Sequence, residues 1–327
     1  MKTVIVTGGA GFIGSATCHL LTQNGFEPIV LDNFSTSQKK PNFPFKLHEV
    51  DVSDLTAVSA ILSQYKNIHG IIHFAALALV GESVEKPFEY FKNNLMSSLV
   101  VAELSRKREI PFVVHSSSCS VYGPPKSVPI SESAPFSPLS PYAETKRMNE
   151  HLFEQYGKWS KTKYVNLRYF NPAGSIPEVG LGEDHQPETH LIPNLVKAYI
   201  EKKPFKLFGN QYPTPDGTCI RDFIHIRDLA EAHVRALKAL ESTPEKVPFV
   251  INVGTGVGTS VQEVAKIAEK TLGGQVLIDI CPARQGDSPQ LVADSTLLKK
   301  VLGWVPSLPV SLMIRDQYDW VTSHKNS

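Results

Sequence analysis

The chain is poor in cysteine, in runs of like charge and in long apolar stretches, and each shortage excludes something. Its four cysteines, Cys18, Cys119, Cys219 and Cys281, lie far apart and form no CxxC pair. That spacing argues against a zinc site or a disulfide framework and predicts reduced, buried thiols. Charged residues make up 20% of the chain, the net charge is +1, and no acidic or basic block stands out. Nucleic acid and anionic membrane are therefore poor partners, and a small ligand is a better one. The longest apolar stretch, around residues 70–81, contains His73 and is too short to span a bilayer. Met1-Lys2-Thr3 runs straight into a strand-like segment with none of the features of a signal peptide, which predicts a cytoplasmic protein.

What is present is a β/α alternation. With 327 residues, 42% of them hydrophobic, the chain has enough for one large domain and a smaller one. Residues 3–7, 28–31, 46–50, 70–74, 111–116 and 164–169 read as strands. Residues 12–24, 54–65, 87–109 and 142–158 read as helices, and 33–45 as a polar loop. The strand segments barely alternate in polarity, as parallel strands buried on both faces should. Repeated βα units predict a Rossmann-like, doubly wound parallel sheet over residues 1–171. Residues 172–188 read as a loop rich in Pro, Gly and Glu. Beyond it, helical patterns at 190–203, 226–240 and 261–272 mix with strand patterns at 205–208, 249–253 and 276–280, which predicts a smaller α+β C-terminal unit over 172–327. Residues 222–240 and 249–253 are expected to return to the large sheet. The polar tail, 323–327, is expected to fray.

Residues 4–14, Val-Ile-Val-Thr-Gly-Gly-Ala-Gly-Phe-Ile-Gly, join a strand to a helix through a glycine-rich turn. Gly8 permits the tight turn, Gly11 lets backbone approach a pyrophosphate, and Gly14 lets the helix pack closely on the sheet. The free N–H groups at the helix start, near Phe12 and Ile13, attract the anion. Asp32 ends the second strand about 20 residues past the loop, where a carboxylate binds ribose hydroxyls and repels a 2′-phosphate. No arginine follows at once, and Lys39 and Lys40 come later in the loop, so NAD is expected rather than NADP. Asp51 and Val52 follow the third strand and suit the adenine edge; a helix N-cap role for Asp51, Ser53 or Asp54 is an equally good reading.

Tyr142 and Lys146 stand four residues apart, on one face of a helix. A phenol near pKa ~10 is a poor base at neutral pH. A nearby ammonium and an oxidised nicotinamide, both positive, are expected to favour the phenolate. Tyr142 could then take a proton from a sugar hydroxyl while hydride leaves the same carbon. Ser116-Ser117-Ser118 follows a strand, at the sheet edge where ligands sit, and Ser118 could relay the proton.

The glycine loop, the serine run and Tyr-x-x-x-Lys, in that order, resemble the extended short-chain dehydrogenase/reductase family over nearly the whole chain. The resemblance implies that Tyr142 is the base, that Lys146 binds the nicotinamide ribose, and that Ser118 completes the triad. Further segments are similar to the UDP-hexose 4-epimerases of that family. They include Leu31-Asp32-Asn33, His73-Phe74-Ala75-Ala76, Val80-Gly81-Glu82-Ser83-Val84, Arg168-Tyr169-Phe170-Asn171 and the run from Asp216 to His225. Gly182-Glu183-Asp184-His185 and Ala283-Arg284-Gln285-Gly286-Asp287 match many bacterial members. The resemblance implies cofactor contacts at Asn33, Phe74, Ala75, Ala76, Asn93 and Tyr169. It implies UDP-sugar contacts at Ser120, Asn171, His190, Leu191, Lys206, Phe208, Arg221, Arg284, Asp287 and Leu291. Arg221 and Arg284 suit a diphosphate, which a guanidinium matches in a bidentate way. Related dehydratases and decarboxylases carry a carboxylate just after the serine run, whereas Cys119-Ser120 stands here. The expected reaction is therefore NAD-dependent inversion at C4 of a UDP-hexose. A homodimer through the helices at 87–109 and 142–158 is the family's usual assembly. The alternatives are a 4-epimerase of another UDP-sugar (N-acetylhexosamine, uronate or pentose) and a non-catalytic NAD-binding sensor. Leu291 replaces a tyrosine that crowds the sugar C2 substituent in some members, which suggests room for an N-acetyl group.

Overall fold

The computed structural model describes residues 1–36, 45–183, 188–284 and 287–324. Lys39, Lys40, Asp184, His185, Gln285, Gly286 and the last three residues of the tail lie outside them. In the first part, β1 (Lys2–Thr7), α1 (Phe12–Gln23), β2 (Phe26–Asp32), β3 (Lys46–Glu49), α2 (Leu55–Leu62) and β4 (Ile68–His73) follow in order. A short α3 (Val80–Glu85) precedes the long α4 (Pro87–Lys107), then come β5 (Phe112–Ser118), α5 (Pro141–Lys158) and β6 (Lys163–Tyr169).

These six strands form a parallel sheet in the order 6-5-4-1-2-3. A seventh, β10, is added beside β6 from much later in the chain. The two faces follow from residue parity along each strand. Val4, Val6, Val30, Ile72, Val114 and Leu167 face one layer, and Ile5, Ile29, Leu31, Ile71 and Val113 face the other. The apolar runs thus belong to strands covered on both sides, and the doubly wound parallel expectation is met.

The remaining elements are β7 (Asn171–Ala173), α6 (Leu191–Glu201), β8 (Phe205–Phe208), β9 (Ile220–His225), α7 (Ile226–Ser242), β10 (Val250–Val253), β11 (Gly258–Ser260), α8 (Val261–Leu272), β12 (Ile278–Cys281), β13 (Gln290–Leu291), α9 (Thr296–Leu302) and α10 (Val310–His324). α7 and β10 return to the large sheet, whereas residues 222–225, expected to return with them, belong to β9 of the smaller unit. Leu229, Ala232, Ala236 and Leu237 of α7 share a core with β1, β4 and β5. The smaller unit is built on β9, flanked by β11 and β13 and joined by β7, with a β8–β12 pair beside it. Leu195, Val196, Val264, Ala268, Met313 and Ile314 of α6, α8 and α10 close its core.

Several expected boundaries shift. The serine run lies inside β5 rather than after it. Asp54 caps α2 by accepting from the N–H groups of Thr56 and Ala57, so the helix starts at Leu55. The stretch expected as a plain loop after residue 172 contains most of β7 and a 3-10 turn, Pro177–Val179. Ser323 belongs to α10, not to a frayed tail. Cys18, Cys119 and Cys219 are free and buried as expected, but the free Cys281 is only half-buried. No helix among the described residues is long and apolar enough to cross a membrane.

Candidate active site

The carboxyl ends of β1, β4, β5 and β6 converge next to the point where the strand order reverses, between β1 and β4. In open α/β sheets ligands bind there. On the β1 side the site is made of backbone. Gly8 has φ +67°, and its N–H donates to Leu31 O at 2.8 Å. A Cβ at Gly14 would lie 2.2 Å from Gly8 O, so the helix can approach the turn this closely only without one. Gly11 caps α1 with no side-chain hydrogen bond, and the first turn holds no acid. A Cβ there meets nothing closer than Gly8 O at 3.4 Å, so Gly11 faces open space. The uncapped N–H groups beside Phe12 and Ile13 fit a pyrophosphate.

Asp32 Oδ2 accepts from Ala10 N–H at 2.9 Å and Oδ1 from Phe34 N–H at 2.9 Å. Burial raises its pKa, and those backbone bonds oppose the rise. Each oxygen keeps a lone pair for a ribose hydroxyl. Asn33 is exposed and bonds Ser35 N–H. Asp51 Oδ1 accepts from Ser53 N–H, at 2.8 Å, in a local turn beside buried Val52. Because Asp54 is the cap, Asp51 has acceptor capacity left for an adenine edge. Phe74 packs on His233 at 4.7 Å between rings, and Ala75 N–H reaches Thr7 Oγ1 at 3.4 Å. Ala76 follows, half-buried. Asn93 donates to Asn94 Oδ1 at 3.0 Å. These residues fit a dinucleotide laid across the strand ends.

On the β5–β6 side the site is made of buried polar side chains. Ser120 Oγ donates to Ser118 Oγ at 2.9 Å, and Ser118 lies near enough to Tyr142 to favour its phenolate. Lys146 Nζ donates to Ser116 O at 2.6 Å and lies 5.8 Å from the Tyr142 ring centroid. Tyr169 and Ser116 share a short hydroxyl–hydroxyl bond. Burial pushes Tyr142 up to about 12, offset in part by Ser118. It pushes Lys146 down to about 7, against the pull of Glu150. The expected phenolate is therefore not produced by the protein's own groups. Desolvation outweighs the ammonium, whose nearest partner is a carbonyl rather than the phenol.

The smaller unit brings a third group together. Arg221 Nη1 donates to Ile220 O at 3.0 Å and Ser288 O at 2.8 Å, and Nη2 lies 3.7 Å from Asp287. Arg284 Nε lies 3.5 Å from the same carboxylate, and its guanidinium stacks 4.5 Å over Phe208. Leu291 pairs with Arg221 in register and packs against the apolar cluster that contains Cys119, the neighbour of Ser118. Arg221 is not paired with its neighbour Asp222, which points to the other face of β9. Asp222 there accepts from Thr255, Gly256 and Ala293. Lys206 shares a strand face with Phe208 but is exposed. Asn171 Nδ2 donates to Asp222 O at 3.2 Å. His190, before Leu191 at the start of α6, pairs with Glu183. Burial lowers the His190 pKa, but the carboxylates of Glu183 and Glu188 outweigh it and raise the value.

Four supporting residues escaped sequence reasoning. Asn94 joins Leu77 to Thr145 of α5. Asp222 ties the Thr255–Gly256 loop and the segment at Ala293 to β9. Glu150 and Arg168 pair beneath the tyrosine helix at 2.6 Å. Arg168 and Asp222 lie in family-like segments and Glu150 stands four residues from Lys146, but none of these signals marked a supporting role.

Three comparisons bear on this arrangement. A UDP-glucose 4-epimerase of Rhizobium leguminosarum bv. trifolii is 41% identical over 98% of this chain and 97% of its own. The crystal structure of UDP-glucose 4-epimerase from Brucella ovis in complex with NAD superposes with TM-score 0.92 at 38% identity, covering 97% of this chain and 98% of that one. That of UDP-glucose 4-epimerase from Bifidobacterium longum in complex with NAD+ and UDP gives 0.89 at 37%, covering 99% of both. Residues 4–254, glycine loop to β10, match the model of one family throughout, and the chain belongs to the NAD dependent epimerase/dehydratase family.

Proposed function

We propose that this protein is an NAD-dependent 4-epimerase of UDP-hexoses that interconverts UDP-galactose and UDP-glucose. One observation carries the reading: the Ser118–Ser120 hydroxyl pair, buried Tyr142 and buried Lys146 gather at the sheet edge beside the dinucleotide loop. The positions after Ser118 offer a buried thiol and a hydroxyl, not a carboxylate that could expel water. The relatives described above, named for this activity over almost their full length, support the same reading.

In the mechanism we infer, the loop at Gly8, Gly11 and Gly14 binds the pyrophosphate, with Phe12 and Ile13 at the helix start. Asp32 holds the adenosine ribose, Asn33, Asp51 and Val52 border the adenine, and Phe74, Ala75, Ala76, Asn93 and Tyr169 line the path to the nicotinamide. Lys146 holds the nicotinamide ribose. NAD bound there would supply reversible hydride acceptance at the sugar C4 and positive charge near Tyr142. Tyr142 Oη accepts the C4 hydroxyl proton, directly or through Ser118 Oγ, and returns it at the end of the cycle. Ser120 fixes the rotamer of Ser118. Asn171, His190, Leu191, Lys206, Phe208, Arg221, Arg284 and Asp287 grip the UDP, so that the hexose can turn over while the UDP to which it stays bonded is anchored.

On this reading residues 1–171, with α7 and β10, form the NAD-binding unit, and the rest of 172–327 binds UDP-sugar. Exposed apolar residues on α4 and α5 (Phe88, Met96, Leu99 and Met148) support a homodimer through those helices. Free cysteines support a reducing compartment, the cytoplasm. Leu291, against the cluster that contains Cys119, is smaller than tyrosine, which favours acceptance of a C2 N-acetyl group. L291Y is expected to reduce kcat/KM for UDP-N-acetylglucosamine while sparing UDP-glucose; equal N-acetyl turnover by both forms would remove the gatekeeping role.

The deciding experiment is proton NMR of the purified protein with UDP-galactose and no added NAD. Growth of UDP-glucose anomeric signals to a fixed ratio is expected. No conversion even with NAD supplied would overturn the assignment.

A further inference from the structure

Beneath Tyr142 and Lys146 lies a buried ion pair that the mechanism above does not use. Glu150 follows Lys146 by one turn of α5, and only 5% of its side chain is exposed. Its Oε1 accepts from Ser117 Oγ at 2.5 Å and Arg168 Nε at 2.8 Å, and its Oε2 from Arg168 Nη2 at 2.6 Å. Ser117 precedes Ser118 on β5, and Arg168 precedes Tyr169 on β6. Arg168 continues to Tyr122 Oη at 2.8 Å, which donates to Asn252 Oδ1 on β10 at 2.7 Å. One carboxylate therefore binds all three elements that carry the reacting hydroxyls and the amine.

We propose that Glu150 is a positioning residue for the Tyr142–Lys146 pair, clamping α5 onto the ends of β5 and β6 and supplying the counter-charge that keeps the Lys146 ammonium protonated. The inference rests on the roles given to Tyr142 and Lys146 above. The other groups around the amine supply no negative charge. Tyr142 stands on its own helix, His73 on β4, His115 on β5, Tyr169 on β6 and His233 on α7. The three histidines are buried, and desolvation holds all of them neutral. Tyr142 and Tyr169 are held as phenols by the same cause. Arg168 is positive, but its guanidinium is turned onto Glu150. Against a desolvation that lowers Lys146 to about 7, Glu150 is the one opposing charge among the described residues.

The test reads Lys146 directly, without substrate or turnover. The full-length protein is labelled with 13C at lysine Cε, the shift of each signal is followed against pH, and K146M identifies the resonance. E150Q is expected to lower the Lys146 midpoint by about one unit or more. E150D keeps the charge but shortens the reach, and should hold the midpoint near the unaltered value while lowering Tm. If E150Q does not fold, E150Q/R168M removes both charges together, and the midpoint should still lie below that of the unaltered protein. An unchanged midpoint in E150Q, or in the double variant, alongside a lowered Tm makes the pair a plain structural clamp and overturns the proposal. Failure of the unaltered protein to epimerise would instead count against the assigned reaction, which the titration does not measure.

Discussion

The two sides of the cleft achieve recognition by opposite means. The β1–α1 side uses backbone: a left-handed glycine, an uncapped helix start and one aspartate tied to the loop it serves. The side formed by β5, β6 and β13 uses side chains buried against each other: hydroxyls, an amine, guanidinium groups and carboxylates. A backbone site tolerates no added atom at its contact points and is indifferent to pH. A side-chain site tolerates small changes of volume but responds to every change of charge.

The sharpest test of that contrast is Y142F. It removes one oxygen from the side-chain half and is expected to reduce turnover by roughly 10³-fold or more, while NAD stays bound. Turnover that survives would remove Tyr142 from its role. Next come paired glycine variants. G14A puts a Cβ 2.2 Å from Gly8 O and should cost about 2–4 kcal/mol of stability together with NAD binding. G11A meets only a 3.4 Å neighbour and should keep its Tm while weakening NAD. Equal Tm loss in both would show that the loop does not divide space in this way. In the smaller unit, R284A removes an exposed guanidinium that stacks on Phe208. It should raise KM about tenfold with kcat nearly unchanged, since it acts on the anchored part of the substrate. A fall in kcat alone would place Arg284 nearer the chemistry.

The smallest effect per group is a pH dependence of stability. Burial lowers His73 to about 3 and His233 to about 4. Unfolded imidazoles bind protons near pH 6.5, so below that pH the unfolded chain binds more protons than the folded one. Stability is complete above about 6.5 and falls with acidification, by about 1.4 kcal/mol per histidine per pH unit, until the folded values are reached. Tm measured from pH 7 to 5 should fall, and less steeply in an H233N variant that still folds. A flat profile would mean that these rings are solvated.

The contrast also explains what could be read from the sequence. The glycine turn, Asp32 and the Tyr142–Lys146 spacing are local, because turn geometry and helix periodicity act over a few residues. The apolar runs revealed the parallel strands for the same reason. Arg221 meeting Asp287, or Phe208 meeting Arg284, depends on how β8, β9 and the chain before β13 fold together, and only family resemblance pointed to those residues. Burial opposes the phenolate of Tyr142, and this could not be read from the sequence, because charge is written there but desolvation is not. Arg168, inside a strand that reads as apolar, gave no local sign that its partner would come from the tyrosine helix.

The route of the chain around β10 has a practical consequence. The large sheet is finished only after the polypeptide has left it, built β7 and β9, and come back, so no single cut separates the two units. A fragment ending at residue 171 would present bare apolar strands where α7 and β10 belong. It should aggregate rather than yield a working half. Recombination between relatives should succeed only when the crossover preserves both visits to the sheet, which makes the molecule a poor donor of interchangeable modules.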